Sequence, residues 1–201
     1  MSASIFSTSS PDEGATLTRL HSRLERSADA DGLLDIAYRT LETPVGSLLL
    51  AATEVGLLRV AYAVEDHTAV LAMLAETVSP RILRAPARLD DAAHQIDEYF
   101  ARRRRFFELP VDLRLTDGFR RSVVEHLRDI GYGRHESYAA VAAAVGNPGA
   151  VRAVGTACAH NPLPVVIPCH RVVRSDGSIG QYVGGAAAKS ALLDLEAAWA
   201  S

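Results

Sequence analysis

The sequence predicts an α+β fold: an N-terminal β-meander with packed helices, then a mainly helical C-terminal domain with a helix-turn-helix and an active-site cysteine segment. Three observations carry this expectation. Short apolar runs alternate with turn-prone stretches between Leu34 and Val64. Apolar residues recur at three- and four-residue spacing from Val70 to Phe100 and again from Phe119 to Ile130. Pro162, Pro164 and Pro168 then break helical periodicity around a Pro-Cys-His triplet.

Residues 1–33 are rich in Ser, Ala and charge and read as a mobile N-terminal extension, in which Leu17, Leu20 and Leu24 are spaced for a short helix. Residues 34–107 read as the N-terminal α/β domain. Its strands are expected over Leu34 to Leu41, Val45 to Ala52 and Gly56 to Val64, separated by Thr-Pro-Val-Gly and Thr-Glu-Val-Gly. Asp66 is placed to cap a helix with the stripe Val70, Leu74 and Val78, and a second stripe runs Leu89, Ala92, Ala93, Ile96, Tyr99 and Phe100. Arg102 to Arg105 read as a solvated basic run at that helix's C-terminal end, where cations suit its dipole. A linker follows over roughly Phe106 to Leu115.

Residues 108–201 read as the second domain. Phe119, Val123, Leu127 and Ile130 give its first helix an apolar face. Tyr138 to Val145 and Pro148 to Ala159 read as two short helices joined at Gly146, with Asn147-Pro148 as N-cap and first-turn proline. That outline is a helix-turn-helix. Ala150, Ala153, Gly155, Ala157 and Ala159 leave the second helix nearly bare while Arg152 stands out, which suits close approach to a narrow groove. Close packing within the domain would use the same small residues.

Composition narrows the function classes. With 48% apolar and 22% charged residues the chain is an ordinary globular one, and no apolar run approaches the ~20 residues of a membrane span. The start MSASIFSTSS lacks the pattern of a signal peptide, so a cytoplasmic location is expected. Two cysteines, Cys158 and Cys169, can build neither a disulfide framework nor a conventional zinc site. The net charge of −3 conceals an asymmetry: residues 1–100 hold 8 basic and 15 acidic side chains, residues 101–201 hold 13 and 9. The basic half contains the helix-turn-helix, and all but one of its cations are arginine, the side chain suited to phosphate.

Asn161 to Val173 is the segment with chemistry in it. The Val-Val-Ile run reads as a buried extended stretch that delivers Cys169 to a defined place after Pro168 and beside His170. A cysteine so held looks placed for reaction, although a buried inert thiol is its usual fate. Neighbouring side chains on a strand diverge, so His170 needs a bend or a bridging water to reach the thiol. In the last helix Glu196 lies at the edge of the stripe Ala188, Leu192, Leu195 and Trp199. Either it swings into solvent or it accepts a hydrogen bond from His170, fixing the tautomer and favouring thiolate at Cys169.

These residues carry a family resemblance. Asn161 through Pro-Cys-His-Arg, the Ser175-Asp176-Gly177 turn, Tyr182 with Gly184-Gly185, and Lys189 to Glu196 resemble the methylated-DNA-protein-cysteine methyltransferases, or alkylguanine-DNA alkyltransferases. The likeness extends upstream through Tyr132-Gly133, Ser137-Tyr138, Gly146-Asn147-Pro148 and Ala150 to Gly155, and more loosely to Leu34. It implies DNA repair by irreversible, single-turnover transfer of an alkyl group from the exocyclic oxygen of guanine, and less well thymine, with the base flipped through the minor groove. By resemblance Cys169 is the acceptor, His170 deprotonates it through a water, Glu196 orients His170, and Tyr138 protonates the leaving base. Arg152 fills the gap in the base stack, with Ala153 and Gly155 beside it on the DNA-facing helix. Asn161 holds the turn into the active-site segment. Cys158, Val172, Tyr182, Val183, Gly184 and Lys189 are expected around the lesion pocket.

The implied partner is double-stranded DNA containing alkylated guanine, met by a monomer, with no cofactor, metal or membrane. Val183, Val124 and Gly131 depart from the family's common Ser, Trp and Pro. A base-acting zinc deaminase is excluded, because it requires Pro-Cys-x-x-Cys and His-x-Glu, and neither occurs. A cysteine hydrolase leaves the arginine helix unexplained. The main alternative is a non-catalytic lesion-binding protein or helix-turn-helix regulator of the same fold.

Overall fold

The computed structural model describes residues 11–200, so the Ser-rich start lies outside the described residues, as does the side chain of Trp199. Helix α1 spans Pro11–Ala30 and takes in Leu17, Leu20 and Leu24, all three exposed. Next come β1 (Ile36–Thr43), β2 (Gly46–Ala52) and β3 (Leu57–Tyr62), paired antiparallel in succession. Thr43 closes the first turn by donating its hydroxyl to the carbonyl of Gly46, whose φ of +101° suits a residue without Cβ.

Strand side chains alternate between faces, and here both faces are covered. Leu48, Leu50 and Val60 enter one cluster, while Leu49, Ala51, Leu58 and Ala61 enter the other. Helix α2 (His67–Thr77) closes the second face with Val70 and Leu74. Asp66 caps it as expected, accepting from the amides of Thr68 and Ala69. A short strand, β4 (Ile82–Arg84), pairs parallel with β1, so the sheet order is β3-β2-β1-β4. Three residues are too few to show a strand period, and the sequence pattern gives no sign of them. Helix α3 (Asp90–Phe100) packs Ala92, Ala93, Ile96 and Tyr99 into the first cluster.

The free edge of β3 positions the linker and the cysteine segment. Leu57 donates to the carbonyl of Pro110 and accepts from the amide of Asp112, which lays the linker along the strand. A Cβ on Gly56 would lie 2.3 Å from the Pro110 oxygen, so only glycine permits this approach. Further along, Val60 donates to the carbonyl of Pro162 at 2.8 Å. The cysteine segment is thereby hydrogen-bonded to the N-terminal sheet, and one apolar cluster runs from Leu48 and Tyr99 through Val123 and Leu163 to Leu192.

The rest is mainly helical: α4 (Gly118–Leu127), β5 (Glu136–Ser137), α5 (Tyr138–Ala144), α6 (Val151–Ala159), β6 (Val172–Val173) and α7 (Gly185–Ala200). Helices α5 and α6 form the expected helix-turn-helix around Gly146, at φ +78°. Helix α6 starts at Val151 and not at Pro148. The amide of Ala150 closes a separate turn on the carbonyl of Asn147, so Asn147-Pro148 belong to the turn. Among the described residues no helix is long and apolar enough to cross a membrane.

Candidate active site and its surface

Asn161 to Pro168 is not the extended stretch its Val-Val-Ile run suggested. It is a turn: the amide of Ile167 donates to the carbonyl of Leu163 at 2.7 Å, and Val165 takes a φ of +74°. A β-branched residue there is a backbone outlier, held only because its surroundings demand it. The demand comes from Asn161. Its Nδ2 donates to the Ile167 carbonyl at 2.8 Å while its Oδ1 accepts from the Leu163 amide at 3.0 Å, so one buried side chain staples both ends of the turn. Pro162 and Pro164 have no amide hydrogen to offer, and the asparagine supplies part of what the backbone lacks.

The turn delivers Cys169 to the start of a 3₁₀ turn, Cys169–Arg171. The side chains of Cys169 and His170 are both buried. His170 Nε2 lies 2.9 Å from Glu196 Oε1. Glu196 is fully buried on α7, so of the two readings of this carboxylate the buried one holds. It also accepts from the Arg171 guanidinium at 2.8 to 3.2 Å, the Tyr99 hydroxyl at 2.7 Å and the Gly133 amide at 3.0 Å.

The electrostatics follow from that arrangement. Burial alone would push the Glu196 carboxyl up, but the hydrogen bonds from His170 and Arg171, together with the Arg171 charge, hold it well below the usual carboxylate range. An ionised carboxylate can only accept, so the shared proton sits on Nε2 and Nδ1 carries the lone pair. Nδ1 is buried and has no hydrogen-bond partner. Burial lowers the pKa of His170 despite Glu196, so the ring is neutral near pH 7. Burial likewise pushes the Cys169 thiol up to about 11, against the Asn161 side chain and the Lys189 ammonium, which favour thiolate. Among the described residues no hydrogen bond joins this thiol directly to the imidazole.

The remaining expected residues fall into two sets, one buried or half-buried and one on α6 around Arg152. Strands β5 and β6 pair in parallel, Ser137 opposite Val173, which brings Tyr138 alongside the segment that leaves the cysteine turn. Ser137 caps α5 by accepting from the amide of Ala140. Burial, then the charges of Cys158 and Cys169, raise the pKa of Tyr138, so its phenol keeps its proton. Lys189 is buried, donates to the carbonyl of Val172 at 2.6 Å, and lies 5.9 Å from the Tyr138 ring centroid. Cys158 faces inward from α6, with its pKa pushed well up by burial and then by Cys169. Tyr182, Val183 and Gly184 are half-buried in the loop before α7.

Arg152 and Ala153 are exposed on α6, and Gly155 is half-buried. Arg152 and Gly155 line a surface hollow with Tyr138, Arg174, Gly180 and Gln181. Arg152 is thus placed at the rim of the site and not against Cys169. Of the basic run after α3, Arg102, Arg103 and Arg105 are exposed, whereas Arg104 is partly buried against Glu98. Sequence reasoning missed three partners of Glu196: Arg171, Tyr99 and Gly133. Arg171 had a signal, an arginine beside the histidine of a buried carboxylate. Tyr99 looked like one more apolar stripe residue, and nothing local sets its hydroxyl against a carboxylate 97 positions away.

Comparison with known proteins shows what the chain is similar to in sequence and fold. Residues 118–198 match the family model described as 6-O-methylguanine DNA methyltransferase, DNA binding domain, and residues 36–113 match its ribonuclease-like domain. The chain is 38% identical over 167 residues to a methylated-DNA–protein-cysteine methyltransferase of Mycobacterium tuberculosis, covering 80% of this chain and 92% of the relative. It is 39% identical over 160 residues to the constitutive enzyme of that name from Bacillus subtilis, covering 79% and 94%. A crystal structure of Mycobacterium tuberculosis OGT in complex with DNA superposes with a TM-score of 0.70 at 35% identity, covering 81% of this chain and 94% of that one.

Proposed function

The chain belongs to the 6-O-methylguanine DNA methyltransferase family, and from that premise we propose that it repairs DNA by moving a methyl or larger alkyl group from the exocyclic oxygen of guanine to Cys169. The observation that carries this reading is the buried contact of His170 Nε2 with Glu196 Oε1 at 2.9 Å. Glu196, kept ionised by Arg171, holds the ring proton on Nε2 and leaves Nδ1 as a base on the residue next to a buried thiol.

The Cys169 proton passes to Nδ1 of His170 through a bridging water, and the thiolate attacks the alkyl carbon in line with its bond to oxygen. The S–C bond forms as the C–O bond breaks, and the guanine takes a proton from the Tyr138 hydroxyl as it leaves. The Tyr138 phenol keeps its proton at neutral pH and so has one to give, although burial, which raises its pKa, makes it a weaker acid. The thioether has no nucleophile set to cleave it, so one molecule consumes one lesion. The base must first be turned out of the duplex, at a cost of a few kcal/mol. On this reading Arg152, which is exposed and lines a surface hollow, occupies the gap, with the bare α6 surface lying in the minor groove. On this reading the protein acts as a monomer on double-stranded DNA in the cytoplasm, without cofactor or metal.

Intact-mass spectrometry after incubation with a duplex containing 6-O-methylguanine tests it. The expected result is a gain of about 14 Da, one methyl replacing one hydrogen, mapped to the Cys169 peptide. Lesion binding without a mass change would favour a non-catalytic lesion-binding protein or regulator of the same fold.

A further inference from the structure

Tyr62 ends β3 in the N-terminal sheet, yet its side chain meets the loop before α7. Its ring stands edge-on to Tyr182, with centroids 5.7 Å apart at 76°, and the two hydroxyls are 3.1 Å apart. Tyr182 in turn stands edge-on to His170 at 6.3 Å and 88°. A Cβ on Gly184 would lie 2.7 Å from Cε1 and Cζ of Tyr62, so the tyrosine ring rests directly on this glycine. Tyr62 is only 3% exposed, and burial raises its phenol's pKa.

Tyr62 is also fixed from behind. Its amide donates to Glu65 Oε1 at 2.8 Å, and Glu65 is ion-paired with Arg59. The Arg59 guanidinium donates to the carbonyl of Pro162 at 3.0 Å, next to the asparagine that staples the cysteine turn. Tyr62 is therefore referenced to the same backbone that carries Cys169, while its ring and hydroxyl bear on Tyr182 and Gly184 in the loop before α7. A shift of this ring would move that loop relative to the cysteine turn.

We propose that Tyr62 is a positioning and specificity-determining residue for alkyl transfer: by seating Tyr182 and Gly184 it sets the depth of the alkyl pocket, so the N-terminal domain takes part in selecting alkyl size. This rests on the alkyl-transfer reading above. The test compares rates on duplexes bearing 6-O-methylguanine and 6-O-benzylguanine, with thermal melts of every variant. Tyr62→Leu vacates ring volume and should raise the benzyl-to-methyl rate ratio by about fivefold or more, the range a pocket contact of this size can discriminate. Gly184→Ala should lower that ratio, because the new Cβ pushes the loop off the Tyr62 ring and toward the cysteine turn. The double variant should return toward the wild-type ratio, since leucine frees the space that the Cβ needs. Tyr62→Phe keeps the ring and should slow both substrates by about three- to tenfold through the unpaired Tyr182 hydroxyl.

A folded Tyr62→Leu protein with an unchanged ratio overturns the proposal. Should that variant not fold, Gly184→Ala with an unchanged ratio overturns it equally. A wild-type protein that reacts with neither duplex overturns the alkyl-transfer reading itself and not the placement of Tyr62.

Discussion

Cys158 lies near the end of α6, and Cys169 opens the 3₁₀ turn after Pro168. Both are buried, and burial pushes both thiols up. They differ in what surrounds the sulfur. Cys158 has a helix backbone that satisfies itself, and only the Lys189 charge works in favour of its thiolate. Cys169 has the Asn161 side chain, the same Lys189 charge, and a neighbouring imidazole whose tautomer is set by Glu196. Desolvation is common to both regions, so it cannot be what makes a reactive thiol. What separates them is a stapled, strained turn and a buried ion pair, both costly and both confined to the Cys169 side.

The largest expected effect divides the two cysteines outright. Cys169→Ala should abolish the mass gain on lesion-bearing duplex while retaining lesion binding, whereas Cys158→Ala should still be alkylated. Label found on Cys158 in the wild type would reverse the assignment. Next in size is Glu196→Ala, which leaves the Arg171 charge buried without its carboxylate. Breaking a buried pair from one side costs about 3–5 kcal/mol. Denaturant unfolding should show a loss on that scale, with transfer slowed as well because Nε2 no longer has a fixed acceptor. A loss under about 1 kcal/mol, the range of a surface ion pair, would mean the cluster is solvated in solution.

Alkaline unfolding sharpens the contrast further. A thiol near 11 in the folded chain and near its ordinary value of about 8.5 in the unfolded chain means that, between those values, the unfolded state has lost a proton that the folded state keeps. Stability contributed by the neutral thiol is complete below the lower value and is lost as pH rises toward the higher one. Wild type should therefore lose about 3 kcal/mol more than Cys169→Ser between about pH 8 and 11 in urea titrations. Parallel curves for the two proteins would place the folded thiol at its ordinary value.

Much of the molecule was legible in the chain because it is local. Asp66 just ahead of an apolar stripe marks a cap, and Leu48 to Ala51 and Val70 to Leu74 carry their periods openly. Cys169, His170 and Glu196 could be nominated because a proline-cysteine-histidine triplet and a carboxylate on a buried stripe are unusual in themselves. What could not be read depended on pairing at a distance. β4 exists because β1 accepts it in parallel. The stretch from Leu163 to Ile167 is a turn because Asn161 bridges it, whereas prolines only say that it is not a helix. Tyr99 and Tyr62 reach the site from the sheet domain, and residue type alone marks them as ordinary core.

The smallest effect tests the outward face of the same helix that buries Cys158. Arg152 stands on α6 at the rim hollow with Tyr138 and Gly180, while the small side chains around it leave the backbone bare. If it serves only to occupy the place of an extruded base, its loss should matter only where there is a stack to open. Arg152→Ala should slow transfer from duplex about tenfold, equivalent to about 1.4 kcal/mol, and leave reaction with free 6-O-benzylguanine base near the wild-type rate. A phosphate contact would behave differently: binding would weaken across all sequences, and the slope of log affinity against log salt would fall by about one. Equal loss on duplex and free base would move Arg152 from the DNA face to the pocket itself, and would dissolve the division of α6 into an inward thiol and an outward wedge.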